Sequence, residues 1–414
     1  MLEKKLVPKL RFAEFDGVWE EMKLSEVSKI ERGRFSPRPR NNPIYYNGNI
    51  PFVQTSDVVN SNGKIINYTQ TLNEKGLKVS KLFPKGTILI TIAANIGYSG
   101  VLQIDMACPD SLIGIKCDKN TSNYFLNYLL KIEQPKLDYL AIDGAQKNIN
   151  LEFLRPYPFY FPQLPEQQKI AFFLTEVDTK LSQLTKKKAL LENYKKGVMQ
   201  QIFSQEIRFK HNNSTKFGTR EVSEFPDWEE KKLGSLCNKA QSGGTPKSTK
   251  KEFYNGDIPF LAISDMTYQG KYLTKTSKTI SKLGLDNSSS WLVPKDSLIY
   301  SMYASVGFVS INKIEISTSQ AVMNIMLKDS VLTEYMYYFL LDFKRYVSQF
   351  IETGTQGNIN ASIVKNFDIK VPSLKEQTKI ANFLSELDSK IEVLSITIEN
   401  TETFKKGLLQ QMFV

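Results

Sequence analysis

The sequence has one histidine and three cysteines. Cys108, Cys117 and Cys237 form no Cys-x-x-Cys pair and no even framework, which points to a reducing compartment and away from a zinc ribbon. His211 lies in the polar stretch 211–216, so any Ser-His-Asp or histidine-dependent nuclease chemistry would hang on one linker residue. A phosphate loop is missing too: Ser242-Gly243-Gly244-Thr245-Pro246-Lys247-Ser248 lacks the P-loop spacing and reads as a Gly-rich turn. Asn42-Pro43-Ile44-Tyr45 carries Ile44 where an amino-methyltransferase motif has a second proline, and reads as a turn. Neither Pro109-Asp110 nor Pro226-Asp227 is followed by a strand bearing Asp/Glu-x-Lys, so no nuclease carboxylate cluster is legible. No long apolar window occurs, and residues 1–15 have no apolar core of signal-peptide length. These absences leave a cytoplasmic, metal-free chain, noncatalytic by itself, as the expectation.

What is present is size, positive charge and a repeat. The 414 residues, 41% hydrophobic, predict two to four packed domains. A net charge of +11 favours a polyanionic partner. The excess is uneven: residues 1–162 hold 21 Lys and Arg against 16 Asp and Glu, whereas 217–372 hold 18 against 16. Phe15-Asp-Gly-Val-Trp19-Glu-Glu-Met-Lys-Leu24 returns as Phe225-Pro-Asp-Trp228-Glu-Glu-Lys-Lys-Leu233, and Gly48-Asn-Ile-Pro-Phe52 as Gly256-Asp-Ile-Pro-Phe260. Tyr194-Lys-Lys-Gly197 matches Phe404-Lys-Lys-Gly407 in the same order. So long a period excludes a solenoid and makes each copy a module with its own core.

Within each copy the pattern changes near Pro162 and Pro372. Before those points, strand-like runs such as 87–92 and 297–301 alternate with Gly, Asn and Pro, which predicts a mixed α/β or α+β module. After them, Pro165 suits a first helical turn and Ser373-Leu-Lys-Glu376 has capping-box spacing. Leu174, Val177, Leu181, Leu184 and Leu191 form one apolar seam, and Leu384, Leu387, Ile391, Leu394 and Ile398 the other. Two long helices paired as an antiparallel coiled coil are expected, giving a pseudo-two-fold repeat with a module at each end of a rod. The alternative is that each helix packs on its own module. The expected divisions are 1–162 and 217–372 as globular modules, 163–216 as a helical spacer with linker, and 373–414 as a second spacer.

Basic loops are the candidate binding elements. Arg32, Arg34, Arg38 and Arg40 share a stretch with two prolines and a glycine, and guanidinium forks match phosphates and guanine edges. The second copy offers Lys247, Lys250 and Lys251, then Lys271 and Lys275 beside Tyr268 and Tyr272. The sharpest local repeat is Gly144-Ala-Gln146-Lys147-Asn148-Ile-Asn150 against Gly354-Thr-Gln356-Gly-Asn358-Ile-Asn360. Its amides can read adenine or fix a turn internally, and the turn is the favoured reading.

Two copies of a module with Trp-Glu and Gly-x-Ile-Pro-Phe, then Gly-x-Gln-x-Asn-Ile, then Pro165-Glu-Gln-Gln-Lys-Ile-Ala171 or Lys375-Glu-Gln-Thr-Lys-Ile-Ala381 heading a long helix, resemble the specificity subunit of type I restriction-modification enzymes. The resemblance covers nearly the whole chain. It implies that the modules are target-recognition domains, each reading half of a bipartite, asymmetric target in double-stranded DNA. It implies too that the helices are spacers docking two methyltransferase subunits, with restriction and translocation subunits joining later. S-adenosylmethionine, ATP and magnesium would then belong to the partners, and this chain would bind no cofactor. Two rival functions remain from the residues alone: a coiled-coil scaffold without specific DNA recognition, and a free-standing modifying enzyme, disfavoured by the missing motifs.

Overall fold

Runs rich in Ile, Leu and Val become central strands. Every residue of Ile88–Thr91 and Ser99–Leu102 is buried, as is every residue of Leu298–Ser301 and Val309–Asn312, the pattern of strands covered on both faces. The computed structural model describes residues 6–141, 148–214, 220–350 and 358–414. The chain divides into two compact units, residues 1–185 with 396–414 (unit 1) and residues 186–395 (unit 2). The division falls inside the two long helices, so each segment read as a spacer is shared between both units.

Unit 1 contains a five-stranded sheet in the order Ser28–Arg32, Leu112–Cys117, Ile88–Thr91, Ser99–Leu102, Lys64–Ile65. Its first four strands are antiparallel and the last pair is parallel. A four-stranded sheet orders Gln70–Leu72, Tyr46–Phe52, Met106–Cys108 and Lys81–Phe83. Unit 2 repeats the first sheet with Cys237–Ser242, Val322–Leu327, Leu298–Ser301, Val309–Asn312 and Tyr272–Leu273. Its second sheet has three strands, and the fourth is reduced to a bridge between Val293 and Ile316. A helix crosses each core, Asn123–Leu140 in unit 1 and Thr333–Val347 in unit 2.

The long helices span Leu164–Phe203 and Leu374–Gln411. In unit 1, Ile170 and Leu174 share a core with Leu408, Met412 and Phe413, and Lys405 pairs with Asp178 at 2.5 Å. In unit 2, Ile380, Leu384 and Leu387 share a core with Val198, Ile202 and Phe203, and Lys195 pairs with Asp388. Within each unit rising numbers on one helix meet falling numbers on the other, so the pairing is antiparallel. Leu174, Leu384 and Leu387 are buried, whereas Val177, Leu181, Leu184, Leu191, Ile391, Leu394 and Ile398 are half-buried. A helix pair without a third layer leaves its seam partly open; burial is complete only where the module core adds that layer.

Two sequence expectations change here. Of the stretch 211–216, read as a polar joint, residues 211–214 enter an antiparallel hairpin of Lys210–Ser214 with Arg220–Glu224, and 215–216 lie outside the described residues. The capping box is half formed: Ser373 Oγ accepts from the Glu376 N–H at 3.4 Å, but the Glu376 carboxylate is taken by Arg208, at 3.2 and 2.9 Å. In unit 1, Arg11 grips Glu166 the same way, at 2.8 and 2.7 Å. Glu166 and Glu376 are 2% and 0% exposed, so each pair is a buried fork that ties a helix start to its module. The next residue completes the joint. Gln167 accepts from the Ser122 N–H and donates to Pro162 O, and Gln377 accepts from the Leu332 N–H and donates to Pro372 O.

Candidate nucleic-acid interface

In unit 1 all four arginines of the basic loop are exposed, and each is also tethered. Arg32 donates to Asp110 O at 2.7 Å, Arg34 to Ser80 O at 3.0 Å and Arg38 to Pro37 O at 2.9 Å. Arg40 holds the Asp110 carboxylate at 2.7 and 2.9 Å. A guanidinium has five N–H donors, so these contacts fix the loop and leave donors over for a ligand. The loop begins at Gly33, where a Cβ would overlap Pro109 O; at the matching Gly243 it would overlap Thr318 O. Both copies therefore need glycine where the loop leaves the sheet. A cavity of about 570 Å³ opens beside the loop, lined by Arg40, Tyr46, Gln54, Tyr68 and Gln70 among others.

A further cationic cluster on unit 1 escapes a linear reading, because its members lie far apart in sequence. Glu31 meets Lys81 at 2.9 Å, Lys29 at 3.4 Å and Lys116 at 3.6 Å. The hydrogen bond from Lys81 holds the Glu31 carboxyl down at about 2, with Lys29 adding to it. Lys81 and Lys116 also sit over the Phe83 ring. Alternation along Ser28–Arg32 and Leu112–Cys117 is the signal that could have grouped Lys29, Glu31 and Lys116 on one face.

In unit 2, Lys247, Lys250, Lys251 and Lys275 are exposed. Lys250 lies 3.6 Å from Glu252, and Lys275 lies over the Tyr268 ring, itself 83% exposed. Lys271 is different. Its Nζ donates to Tyr338 Oη at 2.9 Å and Ser385 Oγ at 3.1 Å, and burial lowers its pKa. This places Lys271 against the helices, apart from the exposed lysines. A cation missed by the sequence reading, Lys239, stands 3.4 Å from the Trp291 ring centre.

Of the amide motif, Gln146, Lys147 and Gln356 lie outside the described residues. Asn148 is exposed and bridges Ala93, and Asn358 is half-buried. The isoleucines that follow are buried, and their N–H groups donate to Ile92 O and Met302 O, both at 3.1 Å. The last asparagines cap short helices: Asn150 accepts from the Phe153 N–H at 2.8 Å and Asn360 from the Ile363 N–H at 3.0 Å. Ile-Asn is therefore a structural half of the motif. Among the described residues no group of His, Cys, Asp and Glu could hold a metal ion, and no helix is long and apolar enough to cross a membrane.

Comparison with known proteins returns the same architecture twice over. The model of the type I restriction modification DNA specificity domain matches residues 17–193 and again 226–401. The MjaIX specificity subunit of Methanocaldococcus jannaschii is 30% identical over 204 residues, a match that covers 48% of this chain and spans about half of that subunit (47%). A putative MjaX specificity subunit from the same organism is 24% identical over 97% of this chain and 94% of its own length. Among solved structures, a type I restriction-modification S subunit from M. genitalium aligns with a TM-score of 0.61 at 15% identity, covering 99% of both chains. A structure described as the basis of complex assembly and conformational transition of the type I system aligns at 0.56 and 17% identity, over 95% of this chain and 96% of the other. At these identities the structural likeness speaks for the fold.

Proposed function

The chain belongs to the type I restriction-modification DNA specificity family, and on that premise we propose that it is the noncatalytic DNA-reading subunit of a cytoplasmic methylating and restricting complex. Each unit reads one half of a bipartite, asymmetric target in double-stranded DNA, and the long helices dock two methyltransferase subunits and the restriction subunits. S-adenosylmethionine, ATP and magnesium act on those partners. The observation that carries this reading is the doubled family match, each copy taking in the two main sheets of one unit and most of one long helix. Two similar frames with different exposed tips are what two unlike half-sites require. Phosphate contacts from the arginine loop and the lysine cluster supply salt-dependent affinity, while loop contacts in the grooves select bases.

The test is an exchange. With the partner methyltransferase present, replacing residues 217–372 by another module of the family should change one half of the methylated motif and leave the other intact. A change in both halves, or methylation without any motif, sinks the proposal.

A further inference from the structure

We propose that Gln54 and Gln70 in unit 1, with Ala262 and Lys278 at the matching positions of unit 2, are specificity-determining side chains that choose the base pair each unit accepts at one position of its half-site. The assignment rests on the DNA-reading function proposed above.

The backbone frame at these positions is the same in both units. Phe52 pairs with Gln70 across the antiparallel ladder, and Phe260 pairs with Lys278. Asp57 Oδ2 accepts from the Gln54 N–H at 2.7 Å and the Thr69 N–H at 3.3 Å. Asp265 likewise accepts from the Ala262 N–H at 2.9 Å and the Ser277 N–H at 3.2 Å. One carboxylate thus locks two backbone segments together in each unit and fixes the origin of the two adjacent side chains. On this fixed frame the side chains themselves differ completely in chemistry.

In unit 1, Gln54 Nε2 donates to Gln70 Oε1 at 3.1 Å, and both amides face the cavity of about 570 Å³ together with Tyr68 and Arg40. That bond uses one N–H of Gln54. Its second N–H and its carbonyl form the donor and acceptor couple that matches adenine N7 and N6. A pre-set amide loses little freedom when a base edge arrives, which favours recognition over mere contact. In unit 2 the same two places carry a methyl group and an exposed ammonium. An ammonium opposite a methyl group instead of a second amide matches the two acceptors of guanine, O6 and N7. Unit 1 is therefore assigned an A·T pair at this position and unit 2 a G·C pair.

The experiment uses the full chain assembled with its methyltransferase partner, and reads the methylated motif genome-wide. The double variant Gln54→Ala/Gln70→Lys should lose its A·T preference at one position of one half-site, by roughly ten-fold or more, and shift toward G·C there. The reciprocal Ala262→Gln/Lys278→Gln should move one position of the other half-site, and guards against a unit 1 variant that fails to assemble. An unchanged motif in both variants, or uniformly weaker methylation at the old motif, overturns the assignment alone. A wild-type complex that methylates without a motif overturns the DNA-reading function and the assignment with it.

Discussion

The two units share their joints and differ at their tips. Arg11 with Glu166 and Arg208 with Glu376 form the same buried fork, and Phe12 meets Phe173 edge-on much as Phe209 meets Phe383. Tyr128 donates to Asp178 and Tyr338 to Asp388, each aspartate being held by a lysine of the opposite helix. In the exposed loops and outer strand faces the likeness ends: the arginine loop of unit 1 has a Gly-Gly-Thr-Pro-Lys loop as its counterpart in unit 2, and Glu31 is matched by Gln241. The frame is therefore constrained by buried polar pairing, in which every member must be satisfied. The exposed tips carry no such constraint and are free to diverge with the target.

The largest effect should come from testing how alike the forks are. Removing one partner of a buried pair leaves an uncompensated charge and costs about 3–5 kcal/mol. Arg11→Met and Arg208→Met should both fall in that range, as read by denaturant-dependent hydrogen exchange resolved for each unit. They should not be equal. Trp228 Nε1 also donates to Glu376 at 3.1 Å, whereas Trp19 Nε1 is buried without a hydrogen-bond partner among the described residues. Glu376 keeps a donor when its arginine is lost, so the unit 1 variant should lose about 1 kcal/mol more. Equal losses would show that the tryptophan contact adds nothing.

A smaller effect separates the tips by pH. The Glu31 carboxyl is held near 2 in the folded chain against 4.5 when free, so its stabilisation is present above about pH 4.5 and lost as pH falls toward 2. The cluster is open to solvent, and screening reduces the contribution to about 1 kcal/mol. Acid titration should therefore weaken unit 1 at this site but not unit 2, where Gln241 does not titrate. Glu31→Gln should abolish the acid-dependent part, and salt near 1 M should shrink it. A wild-type acid response unchanged by Glu31→Gln would remove Glu31 as its source.

Much of the frame was legible because its signals are local or repeated. The long helices follow from apolar spacing and the turn prolines, and the arginine loop from four cations crowded between prolines. The buried forks were not legible, because Arg11 and Glu166 are 155 residues apart. Their trace is the echo of Leu10-Arg11-Phe12 in Ile207-Arg208-Phe209, which falls out of step with the main repeat because the paired strands Lys210–Ser214 and Arg220–Glu224 intervene in the second copy. Gln54 and Gln70 were invisible for the opposite reason. A search for repeats finds what the copies keep, and these positions are where they differ.

The smallest effect tests two lysines that reach matching tyrosines from different elements. Lys131, from the core helix of unit 1, lies over the Tyr128 ring and donates to Asn62 O at 3.0 Å. In unit 2 the cations over Tyr338 are Lys195, from a long helix, and Lys271, from the turn that leads into the edge strand Tyr272–Leu273, while the place matching Lys131 is Leu341. The place matching Lys271 is Gly63, where a Cβ would run into the Lys131 ammonium. Burial pushes the Lys131 ammonium down to about 8, with Asp178 opposing the shift. Below about pH 8 the lysine is charged whether folded or not, and the folded chain carries the burial cost; that cost fades as pH rises from 8 to 10.5. Lys131→Met should therefore gain roughly 0.5 kcal/mol at pH 7, most of the relief being offset by the lost contact to Asn62, and should lose stability relative to wild type near pH 10.5. Lys271→Met should be destabilising already at pH 7, because Lys271 donates to both Tyr338 and Ser385. Thermal unfolding of the two variants across this pH range reads both signs. Two curves of the same sign would mean that the route by which the cation arrives makes no difference to what it contributes.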